Sequence, residues 1–168
     1  ALFRTLARAI AGQQLSTKAA ATIFARLEAR IEGFDPKTPA RILATPKEQL
    51  REVGLSNAKA DAVRDLARHV EEGLLSLDRL PRAPDDVVVA ELTRVRGIGR
   101  WTVEMLLIFD FGRPDVLPVD DLGLRKGAQK VWGLRELPDA ETIERRAEAW
   151  RPFRSIGSFY LWRALEVA

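Results

Sequence analysis

The stretch Leu92-Thr93-Arg94-Val95-Arg96-Gly97-Ile98-Gly99-Arg100-Trp101-Thr102-Val103 decides how this chain folds. An apolar helix ends in it, two glycines one residue apart reverse the chain, and a new helix begins at about Arg100. Glycine reaches backbone conformations closed to residues with a Cβ, so Gly97 and Gly99 allow a sharp turn with main-chain amides facing outward at a helix start. Such amides, backed by the helix dipole, suit a phosphate. Gly-x-Gly also serves as a plain turn between helices. The flanking residues favour the phosphate reading: Arg94, Arg96 and Arg100 surround the turn, and Ile98 is apolar where a solvated loop carries a polar residue.

Working outward, the apolar spacing stays helical: Phe3, Leu6, Ala7 and Ile10; Ile23, Leu27 and Ile31; Val63, Leu66, Ala67 and Val70. Val87-Val88-Val89 is β-branched, but Pro84-Asp85-Asp86 before it and Leu92 and Val95 after it predict a helix start. Thr45-Pro46-Lys47-Glu48 reads as a capping box, Thr38-Pro39 and Ser56 as further starts, and Gly133 as a stop. These signals predict an all-α chain of about nine or ten short helices with no linker, expected as a single domain over residues 1–168. Helix-loop-helix units recur at 50–60 and 92–103, too weakly similar to make a repeat.

Composition narrows the chemistry. The 168 residues are 46% hydrophobic and 30% charged, which excludes disorder and suits one domain. With no cysteine there is no disulfide, thiol nucleophile, Cys-ligated zinc or iron–sulfur cluster, and one histidine, His69, argues against a His triad or multi-His metal site. His69 reads as a surface or satisfied structural residue, and Glu144-Arg145-Arg146 as a solvated helix face. No apolar run nears the ~20 residues of a membrane span and no signal-peptide pattern opens the chain, so an intracellular protein without membrane association is expected. The net charge of +3 permits an anionic partner without demanding one. The first residue is Ala1 rather than Met, a hint of trimming or of residues upstream.

A second segment, Asp115-Val116-Leu117-Pro118-Val119-Asp120-Asp121-Leu122-Gly123-Leu124, sets a proline and two carboxylates before an apolar-periodic helix. In one reading Asp120 caps the helix and Asp121 favours its positive end; in the other, one carboxylate caps while its neighbour projects into a cleft for chemistry.

The hairpin with its arginines resembles a DNA-binding helix-hairpin-helix, which grips a phosphate without reading sequence. Hairpin, Pro-containing turn and aspartate together resemble the helix-hairpin-helix DNA glycosylase superfamily. Ala9-Ile10-Ala11-Gly12-Gln13-Gln14-Leu15-Ser16, Gly97-Ile98-Gly99-Arg100-Trp101-Thr102 and Trp150-Arg151-Pro152-Phe153-Arg154-Ser155 are similar to its 3-methyladenine DNA glycosylase II branch. The resemblance spans nearly the whole chain but lacks the N-terminal sheet domain of the fullest members, which either was never present or lies outside this chain.

That resemblance implies a two-lobed helical domain with a cleft between the lobes, the hairpin gripping double-stranded DNA through Gly97, Ile98, Gly99 and Arg100. The catalytic carboxylate falls on Asp121, with Asp120 as cap; a shift of one residue would favour Asp120. A fixed anion favours the positive charge that develops on the sugar when a base–sugar bond breaks, and it can position or deprotonate the attacking water. Relatives that also cut the strand carry a Schiff-base lysine where this chain has Trp101, so a monofunctional enzyme is implied. Trp101, Phe153 and Met105 are the implied base-pocket residues, with Trp150 and Phe24 as further candidates; the alternative for each is core packing. Gln13, Gln14 and Leu15 match the wedge that fills the gap left by a flipped base, with Gln13 bonding in the vacated space and Gln14 or Leu15 pressing between base pairs; a plain interhelical turn is the alternative. No cofactor is required. The family's monovalent cation, Na+ or K+, would sit on the main-chain carbonyls of Thr93, Val95 and Ile98. The expected partner is duplex DNA containing alkylated bases, met by a monomer in base excision repair. The rival readings are a non-catalytic DNA-binding module, or a glycosylase for mismatched or oxidised bases.

Overall fold

The computed structural model describes residues 1–167. Among them are ten α-helices and no strand: α1 (Leu2–Gly12), α2 (Thr17–Arg30), α3 (Thr38–Ala44), α4 (Lys47–Glu52), α5 (Asn57–Glu71), α6 (Asp85–Leu92), α7 (Arg100–Phe109), α8 (Leu122–Trp132), α9 (Ala140–Ala147) and α10 (Arg154–Ala164), with single 3-10 turns at Leu80–Arg82 and Glu148–Trp150. Helices joined by such short loops must bury one stripe each, and the chain does this in two compact units, Ala1–Gly99 and the residues from Arg100 on. The boundary falls inside the Gly-Ile-Gly-Arg sequence. Thus α6 closes the first unit and α7 opens the second.

In the first unit the predicted apolar positions of α1 (Phe3, Leu6, Ala7, Ile10) and α5 (Val63, Leu66, Ala67) are buried, and α1 packs on α2 and α5 while α3 packs on α5. Each buried Leu or Ile contributes roughly 1.5–3 kcal/mol. Ser56 caps α5 as expected, accepting from the Lys59 amide. Thr45 does not cap α4. That helix begins without a side-chain cap, and the Thr45 hydroxyl donates to the Arg41 carbonyl at 2.8 Å, because Thr45 ends α3 and its nearest orphan group lies in that helix's last turn. Thr38 is likewise the first residue inside α3 rather than its cap; its hydroxyl accepts from the Asp35 amide at 2.7 Å. His69 is buried, with Nδ1 2.8 Å from the Asp65 carbonyl, a satisfied structural residue.

In the second unit α8 and α10 lie against each other around Leu124, Ala128, Ile143 and Leu161. Gly127 permits the approach: a Cβ there would sit 2.0 Å from the Leu161 carbonyl oxygen. The loop leading to α8 is stitched to the start of α10. The Ser155 amide donates to the Pro114 carbonyl (2.9 Å), the Ser155 hydroxyl to the Arg113 carbonyl (2.6 Å), and the Val116 amide to the Ser155 hydroxyl (2.8 Å). Arg154 bonds the Asp115 carboxylate at 2.8 Å and holds it below the usual carboxylate pKa range. No helix among the described residues is long and apolar enough to cross a membrane.

Candidate functional site

In the first unit the hairpin is a main-chain feature held by side chains. Ile98 is buried and anchors it, while Gly97 stands at φ +81° with room for nothing more: a Cβ would lie 2.7 Å from the Ala62 Cβ on α5. Gly99 differs, since a Cβ there would meet open space. The Arg96 amide donates to Asp65 (2.8 Å), and the Gly97 carbonyl accepts from the Gln13 side chain (2.7 Å). Helix α7 starts at Arg100, so its first-turn amides have no partner within the helix. Arg94, Arg96 and Arg100 are exposed.

The turn after α1 brings Gln13, Gln14 and Leu15 together. Gln14 stands at φ +57°, a conformation costing a non-glycine residue on the order of 1–3 kcal/mol, and both Gln14 and Leu15 are exposed. The Gln13 side-chain amide donates to the Gly97 carbonyl and so ties this turn to the hairpin.

The second unit places a side chain by main chain and indoles. Asp121, the residue before Leu122, is the cap of α8, its Oδ2 accepting from the Leu124 amide at 2.7 Å. This corrects the expectation that Asp120 would cap; Asp120 is exposed one residue outside the cap position. Asp121 also accepts from two tryptophans, Trp101 Nε1 on Oδ1 and Trp162 Nε1 on Oδ2, each at 2.7 Å. Three N–H donors fix the carboxylate's orientation. Trp101 is 49% exposed and so is not core, and Met105, one helical turn on, is half-buried. Trp162 belongs to an aromatic cluster, stacked on Phe109 at 5.9 Å and edge-on to Phe159 at 5.9 Å. It lines a depression of about 460 Å³ with Ile156, Phe159 and Tyr160.

Phe153 lines a neighbouring depression of about 480 Å³ with Val131 and Trp150, which shares Ile156 and Tyr160 with the first; Asp121, Trp101 and Met105 are among the lining residues of neither. Phe153 precedes α10 and Trp162 lies near that helix's other end, with Ile156 and Tyr160 between them. Phe24 is core of the first unit, stacked on Phe34 at 5.4 Å.

Glu104 is 4% exposed on α7, its carboxylate 3.3 Å from Arg100. Burial pushes its pKa up to about 7; Asp120 and Asp121 add to the rise, and Arg100 opposes it.

Residues 7–152 match the family model described as HhH-GPD superfamily base excision DNA repair protein. The chain belongs to the HhH-GPD superfamily. Within it, the chain is 36% identical to DNA-3-methyladenine glycosylase 1 of Schizosaccharomyces pombe over 99% of its own length and 73% of that protein's. It is 35% identical to the putative DNA-3-methyladenine glycosylase YfjP of Bacillus subtilis, over 76% of this chain and 45% of that one. Among solved structures, the S. pombe 3-methyladenine DNA glycosylase in complex with abasic DNA superposes with TM-score 0.79 at 34% identity, covering 99% of this chain and 81% of that one. The DNA-3-methyladenine glycosidase of Bacillus halodurans does so with TM-score 0.86 at 38% identity, covering 96% and 74%.

Two residues near the candidate carboxylate, Trp162 and Glu104, are not among those singled out from the sequence. Trp162 sits in the run Phe159-Tyr160-Leu161-Trp162, apolar all round, so periodicity does not say which ring faces the carboxylate. Glu104 had a signal: it is the lone acid in the otherwise apolar segment Val103–Phe109, four residues after Arg100.

Proposed function

We propose that this chain is a monofunctional DNA glycosylase that hydrolyses the N-glycosidic bond of alkylated, 3-methyladenine-like purines in duplex DNA and leaves an abasic site. The observation that carries the reading is the Asp121 carboxylate, gripped by two indole N–H groups and a helix amide beside the half-exposed ring of Trp101. A carboxylate fixed in this way needs no reorganisation as the sugar gains positive charge, and it can orient the attacking water. The face of Trp101 suits a base that alkylation has made cationic, an attraction of about 1–2 kcal/mol when desolvated. Trp101 has no amine to form a Schiff base, so no strand cleavage follows base loss. The hairpin amides would grip a phosphate, and Gln14 and Leu15 would enter the stack as the base leaves it. We assign the protein an intracellular setting and a monomeric state.

For the monovalent cation, the main-chain carbonyls of Thr93, Val95 and Ile98 fit by chemistry, being neutral hard oxygens. Val95 already accepts the Ile98 amide at 3.1 Å and keeps a second lone pair for an ion. An ion there would fix the hairpin carbonyls behind the outward amides.

The test is incubation with methylated duplex DNA, scoring released bases and strand integrity. Release of 3-methyladenine from an uncut backbone is expected, with Asp121→Asn slowing it roughly 10³-fold while abasic-DNA affinity changes less than about threefold. Full release by Asp121→Asn would refute the assignment, and loss confined to Asp120→Asn would move it by one residue. Binding without release by the unaltered chain would leave a DNA-binding module.

A further inference from the structure

In the first unit, three hydrogen bonds converge on the turn that carries Gln14 and Leu15. Lys59, in the first turn of α5, donates from Nζ to the Ala11 carbonyl at 3.0 Å and to the Gln13 carbonyl at 2.6 Å. The Ala11 carbonyl belongs to the last turn of α1, where helical carbonyls lack intrahelical partners and favour a cation. Burial draws the Lys59 amine below the usual lysine range, and the two carbonyls hold it in place despite that. From the same turn, the Gln13 side chain reaches the Gly97 carbonyl 84 positions along the chain at 2.7 Å. Gln13 is thus held from both sides, its carbonyl by α5 and its side chain by the hairpin. Gln14, the next residue, stands at φ +57°. A non-glycine residue persists there only when its neighbours are fixed.

We propose that Lys59 and Gln13 are positioning residues that lock the exposed Gln14-Leu15 tip to the Gly97 hairpin, so that phosphate grip and insertion into the base stack act as one rigid body. The inference rests on the glycosylase reading, in which that tip enters the stack. Its physical content is selective. A tip that yields under load loses most where the base resists leaving the helix and least where a mismatch has already weakened its hold. A general loss of fold would impair both substrates alike.

The experiment uses the full chain and four variants, Lys59→Met, Lys59→Arg, Gln13→Ala and the double variant Gln14→Ala/Leu15→Ala. Single-turnover release is measured from a duplex with the methylated base correctly paired and from one with it mismatched, and base extrusion is followed by the fluorescence of a neighbouring 2-aminopurine. Lys59→Met is expected to slow release from the paired duplex about 30-fold and from the mismatched duplex no more than about threefold, with a diminished 2-aminopurine rise. Lys59→Arg, which can still donate to both carbonyls, should restore the paired rate to within about threefold. Gln13→Ala, which keeps the lysine clamp, is expected to show the same selectivity at about tenfold and carries the test if Lys59→Met does not fold. Equal losses on both duplexes, or an unchanged 2-aminopurine signal, would overturn the proposal. A tip double variant that is impaired while Lys59→Met and Gln13→Ala are normal defeats the proposal alone. A double variant with full paired-duplex activity defeats the wedge reading beneath it.

Discussion

The hairpin region of the first unit and the carboxylate region of the second are assembled in opposite ways. Around Gly97 the groups offered to a ligand are main chain, and Asp65, Gln13 and the buried Ile98 side chain hold them in place. Around Asp121 the offered group is a side chain, and a helix amide and two indoles hold it. Substitutions in the first region should therefore act through shape. Those in the second should act through charge and proton count.

The largest expected effect tests charge. Glu104 keeps its proton to about pH 7 when folded, whereas an unfolded glutamate releases it near 4.5, so between those values the folded state binds more protons and stability falls as pH rises. The loss should total about 3 kcal/mol by pH 8 and be absent in Glu104→Gln. Urea unfolding midpoints at pH 5 and pH 8 read it; parallel declines in both proteins would mean that Glu104 is not the source.

Next comes shape. Gly97→Ala should destabilise by about 2–3 kcal/mol, through φ +81° and the collision with Ala62, whereas Gly99→Ala should unfold like the parent yet bind abasic duplex roughly tenfold more weakly, because its Cβ enters the space a phosphate would take. Equal stability losses at both glycines would erase the distinction. The smallest effect probes one donor: Trp162→Phe keeps a ring against Phe109 and Phe159 but removes the N–H on Oδ2, and kcat should fall about tenfold with KM little changed. A raised KM with unchanged kcat would make Trp162 a binding residue instead.

Much of this was written in local sequence. The stripe Phe3, Leu6, Ala7, Ile10, the start of α7 at Arg100, the Ser56 cap and the Gly133 stop depend on neighbours within a turn or two, and each stands where the pattern put it. The aspartate pair shows where local reading ends: one residue of register separates cap from flank, and only the Leu124 amide shows that Asp121 holds the cap position. Gln13 and Trp162 lie further out of reach, because their partners stand 84 and 41 residues away and nothing in either's own surroundings names them.

Asp121 also carries a consequence for how such a chain can drift. Asn, Ser and Thr serve as helix caps, but only a carboxylate both accepts from two indoles and supplies the anion that the proposed reaction calls for at the sugar. Glutamate brings the anion on a side chain one carbon too long for the cap. Under the proposed reaction, the demands of folding and of chemistry would meet on the same two oxygen atoms. A lineage that gave up the reaction would still be held to a short list of residues at this position, so an inactive descendant would keep the shape of the site long after its use.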